Sequence, residues 1–87
     1  MRILALSILA LTMGCVSAAA IDQARKEIGI QRGHANDATL PPEARTIGLV
    51  GEESWSAQLY NLDGTKLSEA VYERMKALGK VPEGYEK

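Results

Sequence analysis

The chain has a single cysteine, Cys15, and it lies inside an N-terminal apolar run that reads as an address. Arg2 gives a positive start, and Ile3 to Val16 is apolar except at Ser7, Thr12 and Gly14. Ser17-Ala18-Ala19-Ala20 then supplies the small residues a signal peptidase accepts. The run is too short for a hydrocarbon core, which needs roughly 20 apolar residues, and no second candidate span follows. Residues 1–20 are therefore expected to be a cleaved secretory signal and 21–87 the mature domain. The protein is expected outside the cell, with the periplasm as the alternative. A lipoprotein signal at Cys15 is a weaker reading, because of the preceding Thr12-Met13-Gly14 only Gly14 suits a lipoprotein peptidase.

Cleavage at Ala20 takes the only thiol with it. What remains has no disulfide, no thiolate metal ligand and no cysteine nucleophile, although small exported domains usually compensate for a thin core with cross-links. The mature part keeps 67 residues, of which 18 are large apolar side chains. So small a core leaves little surplus over the entropy of ordering the chain, and a marginal fold, or one completed by a partner, is expected. Nine basic residues against eleven acidic ones leave the mature part at −2. A nucleic-acid binder or a membrane-surface binder would show the opposite sign, concentrated on one face.

Along the chain, Ile21, Ala24 and Ile28 recur at helical spacing. They predict a helix from Asp22, as N-cap, to Arg32, with Gly33 as its stop. Residues 34–43 are polar and contain Pro41-Pro42, which biases Leu40 toward an extended conformation, so this stretch reads as a linker. Pro42 could open a single helical turn. Two readings compete from Thr46 to Leu67. β-Branched residues, Gly48 and Gly51, and the Asp63-Gly64 turn favour a β-hairpin, with Trp55, Ala57 and Leu59 on one face of the strand 54–61 and Tyr60 on the other. Trp55, Leu59 and Leu62 instead have the spacing of a helix, with Glu52-Glu53 near its positive end.

The C-terminal element is plainer. Leu67, Val71, Met75 and Leu78 form a helical stripe over 66–78, with Thr65 or Ser68 to cap it, Gly79 to end it and Pro82 to forbid continuation. Residues 82–87 read as a mobile tail. The expected fold is α+β: an N-terminal helix, a short β-hairpin and a C-terminal amphipathic helix. A mostly α arrangement of three helices is the alternative.

Chemistry is sparse. His34 is the one histidine, and with Asp37 it offers two ligands where a zinc site needs three or four. Glu52 and Glu53 are adjacent, so on a strand they diverge; they read as a solvated turn. There is no Gly-x-Ser-x-Gly elbow and no phosphate-cradling glycine loop. Asp63-Gly64-Thr65 matches only a fragment of a calcium loop. No enzyme activity and no cofactor are expected.

By elimination the sequence reads as a small secreted, disulfide-free interaction protein, an effector or regulator that binds another protein. The alternative is a periplasmic or envelope accessory subunit ordered within a larger assembly. Tyr60 and Tyr72 are the candidate binding residues, since both fall beside the expected core rather than in it. Trp55 is a third candidate, although so small a core also has use for its ring.

Overall fold

In the computed structural model the described residues are 2–86, with side chains described from Ala18 onward. The order is α1 (Arg2–Ala35), α2 (Pro42–Asp63) and α3 (Glu69–Leu78), with no strand among the described residues. The α+β expectation is thus corrected to the three-helix arrangement, and 46–50 and 54–61 are helix rather than hairpin. The signal-peptide reading, including Cys15, falls mainly on side chains outside the described ones.

α1 runs through Asp22 without a cap and continues past Gly33, because neither residue interrupts an otherwise helical stretch. It buries Ala24 fully and half-buries Ile21 and Ile28, the stripe read from the sequence. Its end is tied down by the loop: the Thr39 amide and hydroxyl donate to Asp37 Oδ1 at 2.9 and 2.6 Å, and the Leu40 amide bonds the Asp37 carbonyl.

α2 starts at Pro42, where a missing N–H costs nothing, and nothing breaks it before Gly64. Gly64 sits at φ 75°, and its amide closes on the Tyr60 carbonyl at 2.8 Å. Asp63-Gly64 is therefore a helix stop, with no strand to reverse. The two interior glycines have another use. A Cβ on Gly48 would lie 2.7 Å from the Ala35 amide nitrogen and 2.9 Å from the Gln31 carbonyl oxygen, and one on Gly51 would meet the Gln31 side chain. They let α1 and α2 close as an antiparallel pair, a contact that β-turn reasoning assigns to the wrong structure.

α3 follows its sequence signals. Ser68 Oγ accepts from the Val71 amide at 3.3 Å, Gly79 takes φ 69°, and the Lys80 amide returns to the Met75 carbonyl at 2.8 Å. Leu67, Val71 and Met75 form the buried cluster under α3, and Ala57 and Tyr60 of α2 pack on it. Strand alternation would have paired Ala57 with Trp55 and Leu59. Helical spacing pairs it with Tyr60 and turns Leu59 toward α1. Leu78, the last member of the expected stripe, is 57% exposed.

Candidate functional site

Glu52 and Glu53, expected in a solvated turn, are 4% and 7% exposed and form the polar centre of the molecule. Successive helical residues point about 100° apart, so from α2 the first carboxylate reaches both neighbouring helices and the second reaches α3 alone. Arg32 Nε of α1 donates to Glu52 Oε2 at 2.5 Å; Arg74 of α3 donates to Glu52 Oε1 at 2.6 Å and, through Nε, to Glu53 Oε1 at 3.0 Å. Two carboxylates and two guanidiniums cancel in charge, and the fork of Arg74 grips both acids. The arrangement joins three helices, with both oxygens of Glu52 and Oε1 of Glu53 answered by guanidiniums. Its chemistry is structural.

Tyr60 and Tyr72 are half-buried, and the residue that brings them together is Tyr85 of the tail. The Tyr85 ring lies 5.0 Å from Tyr60 in an edge-to-face arrangement and 5.4 Å from Tyr72. The Tyr60 hydroxyl donates to the Gly84 carbonyl at 3.2 Å, Lys66 Nζ stands 4.9 Å over the Tyr85 ring, and it also donates to the Glu86 carbonyl. The two tyrosines thus hold the segment 82–86, which the sequence reads as a mobile tail. Trp55 is half-buried on another face of α2, a little over a third of a turn from Tyr60, and does not join them.

Two clefts flank the ion cluster. One, of about 300 Å³, is floored by Ile28 and Leu59, with Arg25, Arg32 and Lys66 on its walls and three hydroxyl-bearing residues between them. The other, of about 340 Å³, runs between α2 and α3 and is almost wholly apolar: Leu49, Val50, Ala77 and Leu78 line it, with Thr46, Glu53 and Arg74. Val50 is 53% exposed, and its neighbour Ile47 is 68% exposed. Periodicity could have marked Ile47 and Val50 had α2 been read as a helix, since they miss its buried stripe of Gly48, Glu52, Ser56 and Leu59.

Compared with known protein families, curated proteins and solved structures, the chain matches none. Function therefore rests on the chain's own surfaces. His34 ends α1 exposed, and no group of three His, Cys, Asp or Glu among the described residues is placed to hold a metal ion. No helix among the described residues is long and apolar enough to cross a membrane. Asp37 and Asp63 have carboxyls held below the usual value. In each case the main cause is the hydroxyl of the threonine two residues on, followed by that threonine's amide; nearby cations add to the effect. Both are loop-locking contacts at helix ends.

Proposed function

We propose that the mature part, 21–87, is a secreted protein that acts by binding another protein, and that the partner lays an apolar helix face into the groove between α2 and α3. The observation that carries this reading is the pair of exposed aliphatic side chains that line that groove, Val50 and Leu78. The polar groups there are already answered within the chain: Glu53 by Arg74, and the Thr46 hydroxyl by the Pro42 carbonyl at 3.0 Å. Nothing in the groove offers a spare charge, so its complement is a row of apolar side chains, as in helix-in-groove recognition. Aliphatic side chains half or more exposed on one side of a small domain are the ordinary mark of an interaction surface. Tyr60 and Tyr72 contribute by holding the tail that covers α3, which moves the proposed contact from the tyrosines to the aliphatic groove.

Photoreactive residues placed at 50 and at 78, and at exposed Lys26 on α1 as a control, test this in the native extracellular or periplasmic fluid. The expected result is one partner captured from 50 and from 78 but not from 26, with capture lowered about tenfold by Val50→Asp while helicity is retained. Capture from all three positions alike, or adducts solely between copies of the chain, would overturn the reading.

A further inference from the structure

The cleft floored by Ile28 and Leu59 has a different character, and the geometry points to a binding site for a small monocarboxylate with an apolar body. Three cationic side chains surround it, and no carboxylate lines it. Their charges are not equally spent. Arg25 reaches Asp63 at 3.2 Å through one terminal nitrogen. Arg32 is engaged through Nε to Glu52, inside a cluster that is neutral once Arg74 and Glu53 are counted. Lys66 donates to a carbonyl oxygen and lies over the face of Tyr85, contacts that carry no charge. With Arg25 and Arg32 each answered by a carboxylate, Lys66 is the lining cation whose contacts leave its charge for an anion. The cleft therefore favours a monoanion over a dianion such as phosphate, whose second charge would go unanswered.

The hydroxyls give the anion further donors. Ser56 is 7% exposed on α2 and lines the cleft, while Ser68 uses its oxygen to cap α3 and keeps its hydroxyl proton to donate. Beneath them the aliphatic side chains of Ile28 and Leu59 offer nothing to a hydrated ion but bury an alkyl chain or an aromatic ring. The cleft lies at the low end of the range for small-molecule sites, and a few convergent polar groups over an apolar floor is their usual composition. It is separate from the α2–α3 groove: Arg32 lines the first, Glu53 and Arg74 the second.

Titration of the ¹⁵N-labelled full chain with octanoate, 1-octanol and inorganic phosphate tests the site. Octanoate is expected to shift the amides of Ser56, Leu59, Lys66 and Ser68. 1-Octanol is expected to bind about tenfold more weakly for want of the charge-assisted bonds, and Lys66→Gln to weaken octanoate about tenfold. Lys66→Gln also loses the contacts with Tyr85 and the Glu86 carbonyl, so its apo spectrum should shift at 82–86, and the alcohol comparison decides independently of that variant. Equal binding of 1-octanol would reduce the cleft to an apolar patch, and competition by phosphate at equal concentration would reduce it to a bare anion site. Octanoate shifts centred on Val50 and Leu78, or none at millimolar octanoate, would likewise overturn the proposal.

Discussion

Arg74 is the residue on which the three helices depend most. Its guanidinium links α3 to both buried acids, and its side chain is 28% exposed. Arg74→Met keeps the stem's packing but leaves Glu53 buried without its cation and halves the support of Glu52; breaking a buried pair in this way costs about 3 kcal/mol. Arg32 reaches Glu52 from a half-exposed position where water can replace it, so Arg32→Met should cost less than about 1 kcal/mol. Urea unfolding of the two variants checks the order, and equal losses would show that Arg74 has no special place. None of this was legible in the sequence. Two adjacent glutamates and two distant arginines carry no local pattern, and only the helical conformation of 42–63 turns both acids inward.

At the scale of the element, glycine had two opposite meanings that spacing alone could not separate. Gly29 sits mid-helix in α1 with open space where a Cβ would go, and Gly48 sits in α2 against the backbone of α1. Gly29→Ala should therefore stabilise by about 1 kcal/mol through helix propensity. Gly48→Ala gains the same propensity but pushes the helix pair apart, and a net loss of about 1–3 kcal/mol is expected from overpacking. Thermal unfolding should move in opposite directions for the two; movement in the same direction would remove the close approach from the account of α2. α3 needed no such tertiary information. Its cap, stripe and left-handed exit are local. Of the two caps the sequence offers, Thr65 and Ser68, the structure uses Ser68, so the helix starts at Glu69 rather than 66 and Leu67 packs from just before it, while Gly79 ends it as expected.

For the whole molecule, the acid response is written in the two loops that join the helices. Asp37 and Asp63 bind protons less readily in the folded chain than at their ordinary value of 3.8, each held ionised chiefly by the threonine two residues on. A lowered folded-state pKa contributes stability that is fully present above pH 3.8 and is lost as pH falls through the folded value. The urea midpoint of the native chain should consequently decline below that pH. Asp37→Asn and Asp63→Asn should each flatten the decline, and the double variant more so. An unchanged acid limb in the double variant would mean that other carboxylates carry the response.

The sequence by itself determined what depends on neighbours in the chain: the apolar start with its small-residue site, the α1 stripe from Ile21 to Ile28, a helical turn opened by Pro42, and the stripe and left-handed exit of α3. Tertiary structure decided the state of 46–61. There β-branched residues and glycines argue locally for strands, and the deciding contacts lie 17 or more residues away: Gly48 against Gln31, Glu52 against Arg32, Glu53 against Arg74. A helix buries Glu52, Ser56 and Leu59 on one side and sets Ala57 and Tyr60 against the α3 core, while a strand would divide those residues between two faces. Helix and strand are close in intrinsic preference over such a segment, so burial and ion pairing with the flanking helices select between them.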